Sequence, residues 1–233
     1  MRILVISDIH ANYEALESVI ADAGAVDETW CLGDIVGYGP DPNLCVEVVR
    51  ELPNLTCLLG NHDAAILGRM PLAAFNGEAR RSLDLQSRVL NADNVAFLRS
   101  LPDSTLTNGA VTLAHGSPRD PTWEYVLNTL SARLNFDYFT TPFCFVGHAH
   151  LQCMFQLDEK RDRVSMEVPP PGEAVEMTPR AIFNPGSVGQ PRDRDPRASY
   201  AIYNPIARTW EPRRVEYDIP AVQARIRELG MPE

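Results

Sequence analysis

No two of the five cysteines in this 233-residue chain (Cys31, Cys45, Cys57, Cys144, Cys153) stand in a C-x-x-C pair, and their number is odd. A redox dithiol or a thiolate zinc site is therefore not expected, and the five are read as reduced and mostly buried. No apolar stretch approaches the roughly 20 residues that a membrane helix needs. Met1-Arg2 and four apolar residues run straight into Ser7-Asp8, which is far too short for a signal peptide. The cytoplasm is the expected compartment, and no membrane partner is expected. Positive charge is also scarce: 21 basic residues, of which only Lys160 is lysine, face 31 acidic ones, for a formal net charge of −10. Such a balance disfavours a large electrostatic grip on nucleic acid, because backbone binding depends on many Lys and Arg contacts to phosphates. There is no internal repeat and no linker long enough to divide the chain.

What is present is a full core and a concentrated polar signature. With 45% hydrophobic residues the chain reads as one domain over 1–233 of class α/β. Every one of its five histidines lies in a short motif rich in Asp, Asn and Gly: Ser7-Asp8-Ile9-His10, Gly60-Asn61-His62-Asp63, His115-Gly116 and Gly147-His148-Ala149-His150, with Gly33-Asp34 completing the series. Carboxylate, imidazole and carboxamide groups suit borderline and hard divalent ions. Attack on a phosphate ester needs a nucleophile at neutral pH and positive charge facing the phosphate oxygens. Two divalent cations roughly 3.5–4 Å apart supply both.

The coarse element pattern places these motifs at strand ends. Residues 2–6, 29–32 and 55–59 read as strands. They are separated by a helix capped by Asn12, with Leu16, Val19, Ile20 and Ala23 on one face, and by a second helix after Pro40-Asp41-Pro42 showing Cys45, Val48, Val49 and Leu52. Asp8, Asp34 and Asn61 then fall just past the C-terminal ends of parallel strands, where open α/β sheets place ligands. Residues 64–102 read as a helical block flanking or covering the site, with one long segment running through Arg80, Leu83, Leu85, Val89 and Leu90 and a short one from Val95 to Leu101. Strands at 110–114 and 143–146 deliver His115 and Gly147 to His150, with a mostly helical stretch between them. Beyond 152 the chain reads mainly as strands, with an exposed hairpin loop at 169–177 and a final helix carrying Val222, Ile226 and Leu229.

Together these fragments, with Gly33-Asp34-Ile35-Val36-Gly37-Tyr38-Gly39-Pro40, His115-Gly116-Ser117-Pro118 and Asn184-Pro185-Gly186-Ser187-Val188-Gly189, resemble the calcineurin-like metallophosphoesterase superfamily, in particular its small bacterial phosphodiesterase branch. The resemblance runs through nearly the whole chain. It implies a four-layer αββα sandwich of two mixed sheets with two divalent metals at the strand-end rim, manganese first, with iron, zinc, nickel or cobalt as alternatives. It also implies roles: Asp8, His10 and His150 for one metal, Asn61, His115 and His148 for the other, Asp34 bridging. His62 would stabilise the transition state or protonate the leaving oxygen, with Asp63 as its orienting partner. Gly33, Gly60 and Gly147 would let the backbone turn sharply beside the ligands.

The implied activity is phosphodiester hydrolysis of a small phosphate-ester substrate by in-line attack of a metal-bridging hydroxide. Serine/threonine protein phosphatases of the superfamily carry an Asp-Arg pair after Gly-Asp and a Glu after Asn-His, where this chain has Ile35-Val36-Gly37-Tyr38 and Asp63. A phosphomonoesterase or protein phosphatase is thus the second reading. A non-catalytic metal-binding scaffold is the third, although the scaffold relative of this fold has lost ligands and none is missing here. Tyr38, Arg119 and Arg192 are candidate substrate contacts, with Arg194 a similar one, since arginine forks suit phosphate oxygens. Trp123 and Tyr125 are read as packing residues, with stacking on an aromatic substrate group as the alternative.

Overall fold

In the computed structural model, which describes residues 1–232, the first strand β1 (Ile3–Ile6) is buried at every position. Its side chains divide by the two-residue period of a strand. Leu4 and Ile6 join a core with Leu16, Val19, Cys45 and Val49, while Ile3 and Val5 join a second core with Phe145 and Phe183. The helices behind the first core are α1 (Tyr13–Ala23) and α2 (Pro42–Arg50), which alternate with β2 (Glu28–Cys31) and β3 (Leu55–Cys57) as two βαβ steps. β1 pairs parallel with β2, and β2 with β3. Asn12 caps α1, its side chain accepting from the Ala15 N–H at 3.2 Å.

Next come α3 (Asn61–Ile66), α4 (Gly77–Ser87) and α5 (Ala92–Ser100). The first begins on Asn61 itself, three residues before the sequence places helix. The long segment expected through Leu90 stops at Ser87, leaving Val89 59% exposed. The reason lies downstream: Asn91 caps α5 by accepting from the Asn94 N–H at 2.8 Å, and that cap needs extended backbone.

The second half supplies β4 (Leu106–Asn108), an edge strand with no sequence signal, β5 (Val111–Ala114), α6 (Thr129–Asn135) and β6 (Phe143–Val146). Residues 120–128, the first part of the stretch expected to be mostly helical after Arg119, form turns and irregular backbone instead. Pro118 precedes and Pro121 interrupts them, and Asp120 accepts from Thr122 and Trp123 N–H groups. The chain ends with β7 (Gln152–Asp158), β8 (Arg163–Glu167), β9 (Val175–Glu176), β10 (Ala181–Pro185), β11 (Ala198–Asn204), β12 (Thr209–Val215) and α7 (Ile219–Glu228).

Two six-stranded mixed sheets result, in the orders β3-β2-β1-β11-β12-β9 and β4-β5-β6-β10-β7-β8. Their facing sides enclose the second core, where Trp30, Phe145, Phe183, Tyr203 and Trp210 meet. On the outer face of the second sheet, Cys144, Val146, Phe155 and Ile182 pack against Ala132 and Phe136 of the α6 segment. The layer order is helix, sheet, sheet, helix. All five cysteines are buried and free. No helix among the described residues is long and apolar enough to cross a membrane.

Candidate metal centre

The C-terminal ends of β1, β2, β5 and β6 bring Asp8, His10, Asp34, His115, His148 and His150 to one rim. Each is 3% exposed or less. Potential ligand atoms of Asp8, His10 and His150 all lie within 4.8 Å of one another, as do those of Asp34, His115 and His148, and those of His10, Asp34 and His62. His10 and Asp34 each sit in two of these groups and so link all three. Asn61, at the start of α3, joins through its Oδ1, 3.0 Å from His115 Nε2. Every ligand expected from the sequence is therefore in this cluster.

The backbone solves the turns differently from expectation. Of the three glycines, only Gly33 has a positive φ, +103°. At Gly60 and Gly147 the constraint is space: a Cβ on Gly60 would lie 2.1 Å from Asp34 Oδ1, and one on Gly147 2.0 Å from Ser7 Oγ. The left-handed turns are made by the ligands themselves, with φ of 54° at Asp8, 51° at His10, 55° at Asp34, 60° at His148 and 56° at His150. Asp and His tolerate this region better than most residues, yet such strain persists only where surroundings enforce it. Here they do. The Asp8 N–H donates to Gly33 O, His10 N–H to Asp34 O and Gly147 N–H to His115 O. From the Asn184–Gly189 segment, Gly189 N–H and Ser187 Oγ donate to Asp8 O, and Asn184 Nδ2 donates to Gly147 O.

The donor chemistry fits divalent cations. His10 Nδ1 meets Val36 O at 3.1 Å and His150 Nδ1 meets Gln190 O at 2.6 Å. A carbonyl only accepts, so each Nδ1 carries the proton and each Nε2 presents a bare lone pair. Asp8 Oδ1, 3.3 Å from His150 Nε2, and Asp34 Oδ2, 3.5 Å from His115 Nε2, are buried and have no hydrogen-bond partner. His115 Nδ1 is likewise held by Leu32 O at 2.9 Å, and His148 Nε2 by Trp123 O at 3.1 Å, which leaves Nδ1 of His148 free for a ligand. Buried acceptors converging without donors call for positive charge.

Electrostatics agree. Burial alone would raise the Asp8 and Asp34 carboxyls, but the facing imidazoles outweigh it and hold both below their usual range. Burial works against charge on His115, yet Asp34 and then Asp8 push its pKa up to about 9. Burial brings His148 down to about 3 and His62 to about 4, leaving both neutral and able to offer a lone pair at ordinary pH.

His62 lies beside the ligands, 5% exposed, its ring 4.8 Å from that of His10 and 5.0 Å from that of Phe75. Asp63 does not orient it. The Asp63 carboxylate accepts from the backbone N–H groups of Asp34 at 2.9 Å, Gly60 at 3.0 Å and Val36 at 3.1 Å, so it fixes the Asp34 loop. Because Asp63 is the third residue of α3 and Gly60 its N-cap, the carboxylate folds back on the helix start instead of reaching the neighbouring imidazole.

Around the rim, Tyr38 packs on His10 at 4.9 Å and on His62 at 4.8 Å, and the exposed Arg192 lies over the Tyr38 ring at 6.0 Å. Arg119 is not free for substrate. It is ion-paired with Glu124, which also accepts from Ser117 and Asn135. Tyr125, read from sequence as packing, stacks on His148 at 3.8 Å and 22° while remaining 40% exposed. Gln86 has no motif to announce it. Its side chain accepts from Gly37 N–H at 2.7 Å and donates to Gly39 O at 2.6 Å, pinning the loop that carries Tyr38. The only signal was its place on the buried face of α4 with Ala79, Ser82 and Leu83.

Carboxylates and imidazoles gathered at the strand-end rim of an αββα sandwich, with buried carboxylate oxygens and histidine lone pairs converging, mark the site and fold of a metallophosphoesterase. The domain profile of the calcineurin-like phosphoesterase superfamily matches residues 1–205. The chain is 50% identical to the metallophosphoesterase from Sphaerobacter thermophilus, with a TM-score of 0.91 over 100% of this chain and 95% of that one. It is 37% identical to an uncharacterized protein of Methanocaldococcus jannaschii, over 99% of this chain and 94% of the relative. A shorter match, 36% identity over 41% of this chain and 35% of the relative, is to the symmetrical bis(5′-nucleosyl)-tetraphosphatase of Erwinia tasmaniensis. This chain belongs to the calcineurin-like phosphoesterase superfamily.

Proposed function

We propose that the protein is a phosphodiesterase dependent on two divalent metal ions. The observation that carries this reading is the two ligand groups Asp8-His10-His150 and Asp34-His115-His148, joined by a third that contains both His10 and Asp34, with Asp8 Oδ1 and Asp34 Oδ2 both buried and unpartnered. Asp8, His10 and His150 would hold one ion, Asn61, His115 and His148 the other, with Asp34 between them. Bound there, the ions would supply charge to neutralise phosphate oxygens and acidify water to a pKa of about 7.

The chain's own residues position and shield the reaction. His62, neutral and edge-on to His10, faces the same cluster and would give a hydrogen bond to a substrate oxygen. Arg192, over Tyr38 at the exposed edge, would contact a phosphate oxygen as a second donor. Tyr38 and Phe75 pack around His62 and fix its ring. Preference for diesters over monoesters is supported by the loop sequence Ile35-Val36-Gly37-Tyr38 and by Asp63, where protein phosphatases carry other residues.

The test is hydrolysis of bis(p-nitrophenyl) phosphate against p-nitrophenyl phosphate by protein loaded with manganese, then with zinc, iron, nickel and cobalt. Diester turnover exceeding monoester turnover is expected. Inactivity on both with every metal would end the proposal, and monoester preference would favour a phosphomonoesterase. His62→Ala should slow turnover while metal content stays, whereas Asp34→Ala should lose metal.

A further inference from the structure

A cavity of about 230 Å³ adjoins the metal centre and is not needed to hold metal. Its inner wall is made of residues already met at the site. They are His10, Tyr38, Gly189, whose N–H holds Asp8 O, and Gln190, whose carbonyl holds His150 Nδ1. Its outer wall is the C-terminal helix, through Ile219, Val222 and Ile226, with Tyr217 before it. α7 lies beyond residue 205, where the superfamily's domain match ends. It is fastened to the body by Arg225, which pairs with both Glu14 of α1 and Asp41.

The lining has a definite chemistry. Tyr217, Ile219, Val222 and Ile226 give it an apolar side, and Ser82, Gln190 and Gln223 give uncharged hydrogen-bonding groups, Asn12 being held by the Ala15 N–H and Gly189 O. Among the described residues its one charged side chain is Glu78, and no lysine or arginine lines it. A phosphate or polyphosphate chain would meet the Glu78 carboxylate there and no cationic side chain among the described lining residues. An uncharged alcohol group with an apolar body would bury that body against α7 and satisfy its hydroxyls on the amides.

We infer that this cavity binds the second, non-leaving ester group of the diester, and that it selects an uncharged, part-apolar alcohol moiety over a methyl group or a phosphate chain. The inference rests on the phosphodiesterase reading. α7 is then the specificity wall of the enzyme.

The test uses full-length, metal-loaded protein and two p-nitrophenyl diesters that share a leaving group, methyl p-nitrophenyl phosphate and phenyl p-nitrophenyl phosphate. It also uses two slowly hydrolysed ligands, dimethyl phosphate and phenyl methylphosphonate, whose binding is measured by calorimetry. Wild type should favour the phenyl diester in kcat/KM by about ten-fold or more, the discrimination an apolar pocket gives. It should also bind phenyl methylphosphonate more tightly than dimethyl phosphate. Val222→Trp, which fills the cavity, should remove both preferences while metal content stays at the wild-type level. Ile226→Phe, at a half-buried and more tolerant position, repeats the test if Val222→Trp does not fold. Equal binding of the two non-reacting ligands by wild type would overturn the inference even without turnover. So would phenyl preference that survives both substitutions. Absence of all diester hydrolysis would strike the phosphodiesterase reading, and the calorimetry would still decide the cavity.

Discussion

The Nε2 atoms of His10 and His150 face one another at 3.1 Å, although each ring is held from behind by a carbonyl that takes its only proton. Two lone pairs at that distance repel, and a shared cation turns the repulsion into two bonds. Metal should therefore stabilise the fold strongly. At a metal concentration about 100 times the Kd, linkage contributes about 2.7 kcal/mol, which for a chain of this size raises the Tm by about 5–10 °C. Differential scanning fluorimetry of chelator-treated protein, with and without manganese or zinc, measures this. An unchanged Tm together with no metal by elemental analysis would mean that the rim does not hold ions.

Gly60 tests how closely the ligand loops are fitted. A Cβ there would lie 2.1 Å from Asp34 Oδ1 and 2.3 Å from Asp34 N, and neither can retreat because Asp63 grips the same loop. Gly60→Ala should cost about 1–3 kcal/mol as overpacking and displace Asp34 enough to lower metal content. Gly77→Ala is the control: it begins α4, meets nothing within 4 Å and should be neutral or stabilising by about 0.4–1 kcal/mol. Similar Tm values for the two variants would contradict this close fit.

Residues such as Asp8, Asp34, His115 and His148 are legible in the sequence because each falls within three residues of the end of a short, mostly buried strand. The strand's period sets where it ends, and parallel pairing puts those ends on one rim. Gln86 and Tyr125 are not legible in the same way. Their importance comes from long-range contacts, Gln86 with the 37–39 loop and Tyr125 with His148, which no local pattern encodes. Asp63 was legible as part of the motif but not in its direction, because a carboxylate three residues into a helix bonds its own N-terminus. Arg119 misled for a related reason: its partner Glu124 sits in turns that prolines impose and that the sequence suggested as helix.

Glu124 gives the fold a predictable acid sensitivity. Burial works to raise its carboxyl, but hydrogen bonds from Arg119, Ser117 and Asn135 outweigh burial and bring it down to about 2 from an ordinary 4.5. As pH falls, the unfolded chain takes up this proton near 4.5 while the folded chain resists until about 2. The stabilisation is thus complete above 4.5 and lost between 4.5 and 2. Glu124→Gln should be less stable than wild type at about pH 7, and the gap should close towards about pH 3. Urea titrations at both values check this, and a gap that is independent of pH would show that the carboxylate's charge is not what matters.

Gln86 joins the helical block to the centre, since its amide satisfies both Gly37 N–H and Gly39 C=O, on either side of Tyr38. Gln86→Leu keeps the volume but strands two buried backbone groups, at about 1–3 kcal/mol. Tyr38 sits at φ 55°, a conformation that its neighbours must enforce, so the loop should relax once Gln86 lets go. The ring that packs on both His10 and His62 would then shift. Metal content should stay near wild type, because none of the ligand atoms depends on Gln86, while kcat/KM for an activated diester should fall by about ten- to hundred-fold through misplacement of His62. Elemental analysis beside steady-state kinetics separates the outcomes. Loss of metal in parallel with activity would place Gln86 under the ligands instead of under Tyr38, and full activity would show that the block merely flanks the site.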